Sequence, residues 1–364
     1  MMDHQTAVNS ITYREIRRQP EIWKTALNSL RKEAAHHQQL LEIYKDRYWI
    51  FTGCGTSYYL AQSAAFLFQK FTGFHSCATP ASEILIFPHA VFQRPEKSVL
   101  VTISRSGEST EVVMAARQVM HDFKIPTIAV SCNKNSSLAK EGSHRLPFPF
   151  QQEESVVMTG SFTTMLLSIL NLALQKEADD GVFREIEKLP ENLEHIFTYS
   201  IDKLENAVRG VDDFVFLGQG PFLGIANEGA LKMQEMSISH SQSFNSLEYR
   251  HGPKSTAAKS TLITLLLSSA GKKLEYQLAE DLKNLGAKLL IVDGIGKKEV
   301  KDLADFYISI PPVKYPDAFN PVLYTPVLQL LGFYKALAKG INPDKPQNLT
   351  AVVTFNPAEN GRHE

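Results

Sequence analysis

The sequence is poor in cysteine. Its three, Cys54, Cys77 and Cys132, show no CxxC spacing and no even framework. That excludes a disulfide scaffold and a cysteine-based zinc site, and it fits a reducing compartment. There is almost no net charge either: 38 basic against 39 acidic residues give -1. No broad basic field exists to hold nucleic acid or an anionic membrane. Long apolar runs are also missing. The greasiest, Thr261–Ala270, is far too short to span a bilayer. The first residues mix both charge signs without an apolar core, so no signal peptide is expected and the predicted location is cytoplasmic.

What is present is ordinary globular material, 43% apolar and 21% charged. At ~150 residues per domain, 364 residues suggest about two domains. Ile16, Trp23, Leu27, Leu30, Leu40 and Leu41 recur at helical spacing, so 1–45 reads as a helical segment. Short apolar runs then alternate with amphipathic ones. Tyr48–Phe51 ends in Gly53-Cys54-Gly55-Thr56-Ser57. Val99–Ile103 ends in Ser104-Arg105-Ser106-Gly107-Glu108-Ser109-Thr110, and Thr127–Val130 ends in Ser131-Cys132-Asn133. The order returns about 165 residues later in Phe214–Leu217, Leu262–Leu267 and Leu289–Val292. This predicts a duplicated α/β module with a mainly parallel sheet, over 46–195 and 196–340, followed by a tail at 341–364.

In such sheets ligands sit where strands end and helices begin. Ser106, Ser109 and Thr110 place hydroxyls beside the first N–H groups of a helix, a setting that favours an anion. Gly107 permits close backbone approach. The Gly53–Ser57 loop supplies a second set of donors. No Gly-Lys-Ser/Thr follows either loop, which argues against a nucleotide triphosphate. Taken alone, Ser104–Ser109 also reads as a polar turn with a serine cap.

A helix over Ile225–Met236 would carry Glu228, Lys232 and Glu235 on one face. His251 follows, before Gly252-Pro253. A carboxylate on a rigid helix suits proton transfer between adjacent carbons, and an imidazole suits the opening of a sugar ring. Lys232 would stabilise developing negative charge. The ordinary readings are an exposed helical ion pair for Glu228–Lys232 and a turn residue for His251.

Together these segments resemble the isomerase half of the isomerising glutamine–fructose-6-phosphate aminotransferases. They are similar also to stand-alone sugar-isomerase (SIS) domain proteins, the aminosugar-6-phosphate deaminases and fructosamine-6-phosphate deglycases. The resemblance runs from Glu15-Ile16-Arg17-Arg18-Gln19-Pro20-Glu21 through both loops, Glu228-Gly229-Ala230-Leu231-Lys232 and His251-Gly252-Pro253 to Asp344-Lys345-Pro346-Gln347-Asn348-Leu349. It implies two tandem SIS modules, each a three-layer αβα sandwich, in a homodimer. It implies a sugar 6-phosphate held by Thr56, Ser57, Ser104, Arg105, Ser106 and Ser109. Glu235 would be the base, and His251 the ring-opening group, donated from the second subunit. Glu228 and Lys232 match the polar cluster around that base.

Ala351 stands where the aminotransferases carry a tail lysine, and Lys345 lies elsewhere in the motif. Met158 and Gly160 replace a serine and a lysine. Met1-Met2-Asp3 supplies no nucleophilic cysteine of a glutaminase domain, so glutamine-dependent synthesis is not expected. The expectation is an aminosugar-6-phosphate deaminase needing neither cofactor nor metal, with no nucleic-acid or membrane partner. The alternatives are a deglycase, a plain ketose/aldose phosphate isomerase and a non-catalytic sugar-phosphate sensor.

Overall fold

The computed structural model describes residues 9–146, 153–176, 179–296 and 298–353. The first module holds β1 (Tyr48–Thr52), β2 (Ser76–Ala78), β3 (Ser98–Ile103), β4 (Thr127–Val130) and β5 (His144–Leu146). The second holds β6 (Asp213–Gly218), β7 (His240–Asn245), β8 (Thr261–Leu266), β9 (Lys288–Asp293) and β10 (Phe306–Ser309). The two sheets run β2-β1-β3-β4-β5 and β7-β6-β8-β9-β10, the same order twice. Every strand pair is parallel.

Five helices position the site: α1 (Thr56–Thr72), α2 (Thr110–Asp122), α3 (Gly160–Leu174), α4 (Phe222–Ser237) and α5 (Pro316–Ala338). Alternation along the strands explains the layers. Val99, Val101 and Ile103 point to one face of β3, and Phe214 and Phe216 to one face of β6. All join a single core that also takes in α1, α3, α4 and α5. The opposite faces build separate outer cores. Ile50, Leu100 and Ala129 meet α2, while Val215, Ile263 and Leu265 meet the helix Lys272–Asn284. Each sheet is thus covered on both faces, as parallel sheets require. The two sandwiches share their middle helical layer.

The strand-to-helix turns are tight in both modules. A Cβ at Gly53 would lie 2.6 Å from the Ser57 carbonyl carbon, and one at Gly218 would lie 2.2 Å from the Phe222 carbonyl oxygen. Only glycine lets the helix start so close to the strand end. The N-terminal segment forms the helices Ile11–Arg17, Gln19–Lys32 and Ala34–Ile43. Asp344 ties it to the tail: its carboxylate accepts from Ser10 Oγ at 2.7 Å and from the Ile11 and Thr12 amides at 2.9 and 2.8 Å.

Candidate active site

Helices α1 and α4 cross at Gly224, where an added Cβ would lie 2.3 Å from the Tyr59 carbonyl oxygen. Beside the crossing, Ser63 Oγ donates to the Pro221 carbonyl at 2.8 Å, and Asn227 Nδ2 donates to Gln62 Oε1 at 2.6 Å. At the other end, Lys232 Nζ donates to Thr56 Oγ1 at 3.1 Å. Contacts therefore descend α1 as they climb α4, and the pair is antiparallel. This delivers the last turns of α4, from the second module, to the carboxyl edge of the first module's sheet.

There Lys232 sits between two carboxylates. It has no exposed surface, lies 3.3 Å from Glu228, and also pairs with Glu235. Helix α5 seals the other side: a Cβ at Gly332 would lie 3.0 Å from the Lys232 carbonyl oxygen. The Glu228–Lys232 pair is not an exposed helical pair; Glu228 is 1% exposed. Burial pushes the Glu228 carboxyl up to about 8, against the pull of the Lys232 charge and with a further push from Glu235. Neither Glu228 oxygen makes a hydrogen bond of good geometry. Burial alone would lower Lys232, yet the two carboxylates hold it above the usual lysine value. Burial thus favours the protonated form of Glu228 and the carboxylate neighbours favour the charged form of Lys232, while the side chain of Glu235 keeps 19% exposure at the rim.

The loops leaving β1 and β3 lie side by side, since the strands pair through Thr52 and Thr102. The second loop is held by its own hydroxyls. Ser104 Oγ accepts from the Gly107 amide at 3.1 Å and meets Ser109 Oγ at 3.2 Å, and Ser106 Oγ accepts from the Glu108 amide at 3.1 Å. Gly107 has φ of +68°, and a Cβ there would strike Ser136 Oγ at 2.2 Å. Arg105 bonds outside its own loop. Its guanidinium donates to Glu153 at 3.3 Å and to the carbonyls of Val156 and Ala351 at 2.9 and 3.2 Å. A cavity of about 340 Å³ opens here, lined by Arg105, Ser106, Asn133, Glu153 and Ala351 among others.

The structure thus brings Thr56, Glu228, Lys232 and Glu235 together, with Ser57, Ser104, Ser106 and Ser109 at the same sheet edge. It does not bring His251 there. Gln234 bonds the Ser241 carbonyl near the start of β7, whereas His251 follows the end of that strand. His251 is exposed, and among the described residues no hydrogen bond or ion pair joins it to Glu235 of its own chain. The tail carbonyl of Ala351 reaches Arg105, while 354–364 lie outside the described residues.

Sequence reasoning missed Glu153. It takes the amides and hydroxyls of Thr159 and Ser161 at the start of α3 while holding Arg105. An acid a few residues ahead of an apolar helix was its only signal. Cys54, in the first loop, has its thiol pushed up to about 12 by burial and by Glu111, which disfavours the thiolate. Among the described residues, no group of three His, Cys, Asp or Glu side chains is placed to hold a metal, and no helix is long and apolar enough to cross a membrane.

Comparison with known proteins agrees with this architecture. The SIS domain model matches residues 42–175. The crystal structure of a glucosamine-6-phosphate deaminase from Thermotoga maritima is 32% identical, with a TM-score of 0.79 over 95% of this chain and 100% of that one. A tagatose-6-phosphate ketose/aldose isomerase from Escherichia coli shares the fold at 23% identity, with a TM-score of 0.83 over 97% of this chain and 98% of that one. A glutamine–fructose-6-phosphate aminotransferase of Methanothermobacter thermautotrophicus is 28% identical over 84% of this chain and 51% of its own length. The chain spans about half the length of the curated relatives it matches.

Proposed function

The chain belongs to the SIS-domain family, and from that premise we propose that it is an aminosugar-6-phosphate deaminase working by proton transfer between C1 and C2. The observation that carries the reading is the Thr56–Lys232–Glu235 contact, which sets a carboxylate of one module against the strand-end loops of the other. The modules are taken as 46–195 and 196–340.

In this reading Thr56, Ser57, Ser104, Ser106 and Ser109 hold the sugar phosphate, with Arg105 beside them. His251 of a second subunit opens the ring, as the family resemblance implies; within one chain no hydrogen bond or ion pair among the described residues joins it to Glu235. Glu235 takes the proton from C2, the amine-bearing carbon beside the C1 aldehyde. The Lys232 ammonium offsets the charge that develops on the C1 oxygen. Glu235 returns the proton to C1, which leaves an imine at C2. Water adds to that imine, ammonia leaves, and a ketose 6-phosphate remains. Burial favours the protonated form of Glu228, which leaves the Lys232 cation to serve Glu235. No step calls for a cofactor.

The test is a substrate panel. Glucosamine 6-phosphate should release ammonia and ketose 6-phosphate in equal amounts. Amine release from a fructosamine 6-phosphate alone would make the chain a deglycase. Interconversion of ketose and aldose phosphates without nitrogen release would make it a plain isomerase. Binding without turnover of any of them would leave a sensor.

A further inference from the structure

The duplication gives the molecule a second crevice at the carboxyl ends of β6 and β8. It is the counterpart of the site above, because β6 and β8 stand in their sheet where β1 and β3 stand in theirs. Connections leave these two strands in opposite directions, which is where open α/β sheets bind ligands. The loop geometry repeats as well: the Gly271 amide donates to Ser268 Oγ at 2.9 Å, as Gly107 does to Ser104.

The chemistry of the second crevice differs. Its anion-seeking donors are already taken by the protein's own carboxylates. Asp317 accepts from the amides of Ser269 and Ala270 at 2.6 and 2.9 Å. Glu275 accepts from the Ser268 amide and hydroxyl at 2.8 and 2.9 Å. A phosphate would find the loop donors taken and two carboxyl groups beside it, with the exposed Lys70 as the cation lining the crevice.

Yet the crevice is open. It encloses about 660 Å³, within the usual range for small-molecule sites. Phe66, 49% exposed, presents its ring edge 3.2 Å from where a Gly220 Cβ would be. Gln219 lines the crevice, and its Oε1 is a buried acceptor with no partner. An unpartnered buried acceptor calls for a donor. An aromatic ring beside it suits an apolar face. A pyranose offers both, with hydroxyl donors at its edge and C–H groups on its face.

We propose that this crevice binds an uncharged sugar ring of monosaccharide size, independently of the reaction assigned to the first crevice. Its occupant would rest on Phe66 and donate a hydroxyl to Gln219. It would sit at the far end of α1 from Thr56, so one helix carries a residue into each crevice.

The full chain is titrated calorimetrically with D-glucose, D-galactose and D-mannose, with and without inorganic phosphate. At least one sugar should bind saturably. Phe66→Ala and Gln219→Leu, on separate elements and with circular dichroism as the check on folding, should each weaken it by about tenfold or more. Thr56→Val should not, and phosphate should not compete. Absence of saturable binding by all three sugars would overturn the proposal. So would binding that phosphate displaces, or binding that both crevice variants leave intact.

Discussion

An ammonium with no exposed surface survives only if opposite charge replaces its lost water. Lys232 has that from Glu235, while burial favours the protonated form of the neighbouring Glu228. The consequence for stability can be signed. An acid whose pKa rises on folding still holds its proton when the unfolded chain has lost it. Between its ordinary 4.5 and about 8 the folded state binds more protons, so stability falls as pH rises and levels off above that window. Glu228→Gln should flatten this slope, read as urea-unfolding free energies across the window. An unchanged slope would show that Glu228 is ionised in the native protein. The three charges were legible in the sequence as one helical face. Their burial was not, because spacing alone cannot tell an exposed face from one sealed by a distant helix such as α5.

Helix α4 works because it lies very close to α1. Gly224 has backbone against it on the α1 side, 2.3 Å from a would-be Cβ, and backbone cannot swing aside as a side chain can. Gly224→Val should force the helices apart and cost about 1–3 kcal/mol of stability. It should also lower turnover more than the stability loss explains, by pulling Lys232 from Thr56. Wild-type activity in a folded Gly224→Val protein would show that this contact does not matter. The six central strands, β1, β3, β4, β6, β8 and β9, could be read as apolar runs ending in Gly or Ser or Asp. The edge strands β2, β5, β7 and β10 could not. Ser76–Ala78 and His144–Leu146 are three residues long, and His240–Asn245 is polar throughout but for Phe244. These edges face water on one side and carry little apolar signature, whereas β10, Phe306–Ser309, is apolar but only four residues long. Helix α5 was equally hidden, since Pro321 and Pro326 interrupt its pattern.

At the scale of the whole molecule, neither module holds the candidate site alone. The first supplies the loops, the second supplies the carboxylates, and their shared helical layer fixes one against the other. Sequence spacing placed Glu235 and His251 within one short stretch. Within one chain no hydrogen bond or ion pair among the described residues joins them, and in the proposed reading the histidine comes from a second chain. That proposal has a direct measurement. Glu235→Gln and His251→Ala proteins are each assayed alone on glucosamine 6-phosphate, then unfolded together in equal amounts, refolded and assayed again. Each alone should lose roughly 100-fold or more in kcat while still binding the sugar phosphate. Random reassembly into dimers leaves about a quarter of the sites with both groups intact, so about a quarter of the wild-type activity should return. A Glu235→Gln protein that turns over at the wild-type rate, or a mixture that stays as inactive as its parts, would contradict the account.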